Sequence, residues 1–181
     1  MRILIKPFYR AVLALLMATL CYPSWLQAET LDFVERIIDG DTLQMKSGKR
    51  VRLLGVDSPE THDNRGRNAM TAKWSRVPEK WIDRYAYYAK FFVEDWVEGK
   101  PVELRYDAVN AKKEHKDSYG RWLCYVFRSD DSMSLNAALI QEGYAMTFKK
   151  FGFAEKKHFL QLEDDAKAKE RGFWQYQNAS T

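Results

Sequence analysis

The chain has 181 residues, with 29 Lys and Arg against 25 Asp and Glu and 46% apolar residues; that length suits one domain with a proper core, and the two cysteines exclude a disulfide-built scaffold. Residues 1–28 hold three of the basic residues and no acid, so the remainder carries 26 basic against 25 acidic residues. A protein that gathers nucleic acid through its bulk field is thereby excluded, and any hold on phosphate must come from locally grouped Arg and Lys.

The first segment stands apart from the fold. Arg2, Lys6 and Arg10 precede the uncharged apolar run Ala11 to Cys21, and "PSWLQA" ends on the small residue Ala28. This is the layout of a cleaved secretory signal peptide, and the run is short of the about 20 residues that a membrane span needs. Leu20 stands where a lipoprotein signal carries a small residue before its cysteine. The expectation is a secreted or periplasmic protein whose single domain is residues 29–181; the alternative is anchoring by an uncleaved leader. Cys124, in "RWLCYVF", is then the one cysteine left and reads as a small buried apolar residue.

"FVERII" (Phe33 to Ile38), "TLQMK" (Thr42 to Lys46) and "RVRLLGV" (Arg50 to Val56) predict three strands, the last two joined by the turn "SGK". Pro59 and "THDNRGRN" predict a long exposed loop. From Trp81 to Val97 the period becomes helical: Trp81, Tyr85, Tyr88, Phe92 and Trp96 form one stripe, closed by Gly99, and read as core rather than as a base-stacking platform. "PVELRYD" (Pro101 to Asp107) and "RWLCYVF" (Arg121 to Phe127) predict two more strands. Ser134 caps a short helix to Glu142 with Leu135, Ala138 and Leu139 inward, and a last helix runs from Ala154 to Arg171 with Phe159, Leu162 and Ala166 inward. The order predicts an α+β fold, a five-stranded OB-type barrel with three helices.

"IDGDT" (Ile38 to Thr42) and "RLLGVDSPE" (Arg52 to Glu60) put carboxylates at the ends of neighbouring strands. Each piece alone also reads as turn chemistry: Asp39-Gly40 is a turn signal, and Asp57 or Ser58 can cap a turn before Pro59. Pairing of the second and third strands would bring Asp41 and Asp57 together, where two bare carboxylates repel and a hard cation relieves them. Calcium accepts such an irregular oxygen set. Asp41, Asp57 and the Ser58 carbonyl are the candidate ligands, with Asp39 orienting water beside the ion. Glu60 follows on the same turn as the candidate general base. Arg52 lies in a strand apolar on both faces, so its guanidinium needs an anionic partner, either a structural carboxylate or a phosphate. Arg121, at the strand start after "DSYG", is the second candidate fork for a phosphate. His62 reads as a solvated loop residue, and His115 and His158 as exposed.

With "IDGDT", "RLLGVDSPE", "DSYGRWL", "LNAALIQEGYA" and the final "RGFW" in this order, the chain resembles the staphylococcal nuclease family over roughly residues 33 to 174. The resemblance implies an OB-type barrel that cleaves DNA and RNA endonucleolytically with calcium and leaves 3′-phosphate ends. It implies Asp41, Asp57 and the Ser58 carbonyl as ligands, Arg52 and Arg121 on the phosphate and Glu60 on the water. Three departures follow. Ser58 replaces a threonine. Residues 61–84 are longer than in compact members, with Arg65, Arg67 and Lys73 available to extend a phosphate surface. "MTFKKFG" (Met146 to Gly152) replaces a tyrosine-bearing stretch that flanks the base, which leaves Phe148 or Phe151 to stack and Tyr119, Lys149 and Lys150 as substrate-binding candidates. The implied partners are DNA and RNA, single-stranded or locally unpaired, met by a monomer. The reading weighed against this one is a non-catalytic OB-fold module that binds single strands; it has no use for Asp41, Asp57, Glu60, Arg52 and Arg121 together. A purely structural secreted domain would leave Arg52 unexplained.

Overall fold

Strands β1 (Val34–Asp39) and β2 (Thr42–Met45) form the first hairpin, with Ile37 opposite Leu43 and Asp39 opposite Thr42. The inward residues Leu43 and Met45 are fully buried. The computed structural model describes residues 31–61 and 79–176. The expected leader, His62 and the loop residues Arg65, Arg67 and Lys73 lie outside the described residues.

β3 (Arg50–Leu53) pairs antiparallel with β2 and parallel with β6 (Trp122–Arg128), which in turn pairs antiparallel with β5 (Val102–Tyr106). The sheet order is thus β1-β2-β3-β6-β5. Asp32 and Val102 then exchange both backbone hydrogen bonds at 2.8 Å, joining the two ends of the sheet. Closure removes exposed edges and makes the sheet a barrel.

The third strand does not run to Val56 as the sequence suggests. Gly55 sits at φ +76°, and a Cβ there would lie 2.6 Å from the Phe153 ring. The chain turns at that point, and β4 (Val56–Asp57) leaves the barrel to pair antiparallel with β7 (Met146–Thr147), a two-residue strand that periodicity alone does not reveal. Asp57 is therefore held by a separate small ribbon.

Among the described residues three α-helices complete the fold: α1 (Glu79–Val97), α2 (Leu135–Gln141) and α3 (Lys156–Ala168). On α1, Tyr85 and Trp96 are buried, Trp81 and Phe92 half-buried and Tyr88 exposed, so the aromatic stripe is mostly core. Ser134 caps α2 by accepting a hydrogen bond from the Ala137 N–H at 3.1 Å. That helix is buried nearly throughout, and its Asn136 ties the barrel together: Nδ2 donates to the Leu54 and Cys124 carbonyls at 2.9 and 3.2 Å, while Oδ1 accepts from the Val126 N–H at 3.0 Å. α3 is shorter than expected. It buries Phe159 and Ala166 and, unforeseen, the carboxylate of Glu163. Glu163 accepts from the Thr147 N–H at 2.8 Å and meets the ammonium groups of Lys149 and Lys167 at 3.0 and 2.5 Å, locking α3 to β7. His158 is exposed as expected, but His115 is half-buried against the Tyr106 ring.

Candidate active site

The turn between β1 and β2 is shaped by its acids and its glycine. Asp39 Oδ1 accepts the Asp41 N–H at 3.1 Å, so Asp39 builds the turn that presents Asp41. Gly40 is required by space: a Cβ there would lie 2.7 Å from Ala89 of α1 and 2.8 Å from Ser58 Oγ. Asp41 is fully buried. Its Oδ1 accepts from the Thr42 hydroxyl at 3.1 Å, and its Oδ2 accepts from the Ser58 N–H at 2.9 Å. The carboxylate thus sits where the β1–β2 turn meets the segment after β4.

Arg52 projects from β3 opposite Thr42, which brings its guanidinium to the same spot. It forms an ion pair with Asp41 through Nη1, approaches Asp57 Oδ1 to 3.7 Å through Nη2, and donates to the Val56 carbonyl at 3.2 Å. Burial lowers the pKa of this guanidinium, and the nearby carboxylates of Asp39 and Asp57 work against the shift. The anionic partner left open by the sequence is, in the protein itself, a pair of aspartates.

Oxygens of Asp39, Asp41 and Glu60 lie within 4.8 Å of one another, a grouping able to hold a metal ion. The Glu60 carboxyl is pushed up to about 7, first by desolvation and then by the charge of Asp39 and a hydrogen bond to it, with Arg52 and Arg121 opposing. A cation among these acids would favour the ionised forms. The donors are all oxygen, the chemistry of a hard cation such as calcium or magnesium. Asp39 and Glu60 therefore stand closer to Asp41 than the sequence suggests. Asp57 is not part of that grouping but lies beside Arg52, which also pairs with Asp41, and the Ser58 hydroxyl is buried with no hydrogen bond.

Arg121 enters from the other half of the chain. Its Nε donates to Asp117 Oδ2 at 2.7 Å, while Asp117 Oδ1 accepts the Tyr119 and Arg121 N–H groups at 2.9 and 3.0 Å. Burial pushes the Asp117 carboxyl up, but the hydrogen bonds from Arg121 and the Tyr119 N–H hold it below the ordinary range. Asp117 is the positioning residue that the sequence reading passed over. The signal was present in "DSYGR", an aspartate three residues before a left-handed glycine, as an Asx-type turn requires.

Arg52, Arg121, Tyr119, Phe148 and Phe151 line one cleft of about 270 Å³. Tyr119 is 84% exposed, with the Arg121 guanidinium 5.4 Å from its ring centroid. Phe148 and Phe151 pack together at 4.8 Å. Lys149 is turned to Glu163 and Lys150 is exposed; the residues from this segment that line the cleft are the two phenylalanines.

A closed barrel that sets clustered carboxylates beside two guanidinium groups in one cleft is the layout of a metal-assisted phosphodiester hydrolase. The family described as staphylococcal nuclease homologue matches residues 50–176. The chain belongs to the staphylococcal nuclease family, a family of phosphodiester-hydrolysing nucleases. It is similar to the thermonuclease of Staphylococcus intermedius, 33% identical over 148 residues that cover 78% of this chain and 74% of that protein. A micrococcal nuclease of Shigella flexneri is 26% identical over 180 residues, 94% of this chain and 87% of the relative. An uncharacterized endonuclease of Escherichia coli O157:H7 is 28% identical over 156 residues, 83% and 82% of the two chains.

Proposed function

We propose that this nuclease is a calcium-dependent, largely sequence-nonspecific endonuclease acting on DNA and RNA, preferring single-stranded or locally unpaired stretches and leaving 3′-phosphate ends. It works as a monomer of residues 29–181, outside the cytoplasm after removal of the leader. The observation that carries the reading is that Arg52, flanked by Asp41 and Asp57, lines the same cleft as Arg121.

Asp41, Asp57 and the Ser58 carbonyl would hold the calcium ion, which supplies positive charge to the phosphate oxygens. The remaining work belongs to the chain. Arg52 and Arg121 present planar forks that match the oxygens of a phosphodiester and stabilise the charge that gathers on phosphorus. Glu60 takes a proton from a water that attacks phosphorus, while Asp39 orients that water. The bond to the 5′ oxygen breaks, a proton passes to that oxygen, and the phosphate stays on the 3′ side. Asp117 fixes the Arg121 fork before substrate arrives. Tyr119, Phe148 and Phe151 offer faces on which any unpaired base can stack, which supports single-strand preference without sequence reading.

The test is a gel assay of residues 29–181 on single-stranded DNA, duplex DNA and RNA with calcium, magnesium or chelator. Cleavage should require calcium, run faster on single strands and leave ends that a 3′-phosphatase trims. Digestion that continues in chelator overturns the calcium assignment. Retention of oligonucleotide without any cleavage would identify a binding module instead.

A further inference from the structure

We propose that Glu163 is a positioning residue for the reaction: from behind the cleft it sets the place of Asp57 and of the Phe148–Phe151 wall through its hold on β7. The proposal rests on the nuclease reading above, in which Asp57 holds the ion and the phenylalanines meet a base.

The ribbon of β4 and β7 depends on outside support. It is two residues deep, with Val56 opposite Thr147 and Asp57 opposite Met146, and the Phe148 N–H donates to the Gly55 carbonyl at 2.8 Å. A two-stranded ribbon this short has little stability of its own. Bonded and non-bonded pairs alternate along an antiparallel ladder. With Phe148 bonded to Gly55, the Thr147 N–H points away from β4. The strand that pairs with Asp57 therefore has a buried donor on its outer edge, and such a donor is rarely left without an acceptor.

The acceptor is Glu163 Oε2, at 2.8 Å. Glu163 is 1% exposed and stands on α3, a helix of 13 residues seated in the core through Phe159 and Ala166. Its other oxygen meets the ammonium groups of Lys149, at 3.0 Å, and of Lys167, one helical turn along, so the buried charge is matched. Lys149 is thereby drawn to α3, while Phe148 beside it lines the cleft. Lys156, also on α3, donates to the Lys149 and Phe151 carbonyls at 2.7 and 3.2 Å. One helix thus fastens residues 147–151 at both ends.

The consequence is a shared reference point. β7 carries Asp57 on one side through the ladder, and its continuation carries Phe148 and Phe151 into the cleft. A shift of β7 moves a candidate ion ligand and a stacking face together, and small misplacements of such groups weaken binding and catalysis. If Glu163 served stability alone, its loss would lower Tm and leave the affinities of the folded protein where they were.

The experiment uses residues 29–181 with Lys149→Met as the reference, so that no released ammonium reaches the substrate. On that reference Glu163→Gln keeps an acceptor for the Thr147 N–H, and Glu163→Met has none. Val102→Ala, a core change on β5 in the other sheet, controls for lost stability. Tm is recorded for each. Calcium affinity by calorimetry, and affinity for a labelled single-stranded oligonucleotide in chelator by anisotropy, should fall several-fold in Glu163→Met and stay near the reference in Glu163→Gln and Val102→Ala. Glu163→Asp, which shortens the reach, should show a smaller loss of the same kind and decides the matter if the Met variant does not fold. Oligonucleotide affinity unchanged in the Met or Asp variant, or losses that simply follow Tm across the set, overturn the proposal. A parent that binds the oligonucleotide but cuts nothing, or binds no calcium, overturns the reading above instead, and the oligonucleotide affinities still decide this one.

Discussion

Arg52 has no access to bulk water for most of its charged surface, so Asp41, Asp57 and the Val56 carbonyl do the solvating. Removing a neighbouring charge therefore changes more than one contact, and the cleaner tests lie one residue further out. Glu60→Gln keeps the size and most of the hydrogen bonding of the side chain but cannot take a proton. It should leave Tm close to the parent and lower kcat by a factor of about 100 or more, as loss of a general base does; a variant as fast as the parent removes Glu60 from the chemistry. Asp117→Asn keeps the turn but weakens the hold on the Arg121 Nε. We expect kcat on single-stranded DNA to fall about tenfold or more, the size of effect that misplacing a catalytic group produces, with stability moved far less. The meeting of Arg52 with Asp41, and of Arg52 with Arg121 in one cleft, was legible because strand ends and a guanidinium in an apolar strand point to a charged partner nearby. The pairing of Lys149 with Glu163 was not, because it joins residues on β7's far side and on α3 that only packing brings together.

At the level of elements, α2 serves the site without touching it. Asn136 bridges the end of β3 and two residues of β6, which keeps the parallel junction in register beneath Arg52 and Arg121. Asn136→Ala leaves buried backbone groups without partners and should cost about 2 kcal/mol or more, read as a lowered urea midpoint. The strands and helices themselves followed from periodicity, apart from the third strand. "RVRLLGV" is apolar enough to continue, and only the approach of Phe153 to Gly55 explains why it turns. β7 has two residues and no pattern to recognise. Because of that turn, Asp57 rides on a ribbon anchored through Thr147 to Glu163 rather than on the barrel wall.

Across the whole molecule, three buried or half-buried carboxylates set the response to acid. Burial alone would push Glu163, Asp107 and Asp117 up. The bonds from Lys167, the Thr147 N–H and Lys149 in the first case, from the Ala154 N–H and the Tyr125 hydroxyl in the second, and from Arg121 in the third hold each below its ordinary value. Each proton is then bound more weakly by the folded chain than by the unfolded one. Their stabilisation is complete above the ordinary carboxylate range, roughly pH 4, and is lost as the pH falls through the depressed values. Glu60, pushed up to about 7 from 4.5, runs the other way: without an ion its contribution is greatest below pH 4.5 and gone above 7. Urea midpoints taken in chelator at pH 3, 5 and 7 should therefore be lowest at pH 3; a midpoint at pH 3 equal to that at pH 5 would contradict the three networks. The barrel class was readable from element order, whereas the bridge between Asp32 and Val102 that joins the two ends of the sheet was not, since two hydrogen bonds leave no trace in composition.

The parallel contact between β3 and β6 joins stretches of chain that leave the ribosome far apart. Non-local pairings of this sort form late, because the intervening loop must first be closed. Until then one guanidinium belongs to an early hairpin and the other to an unattached segment, and the two forks proposed to grip the phosphate are apart. A nuclease assembled this way is harmless to the nucleic acids of the cell that makes it for as long as it is kept unfolded.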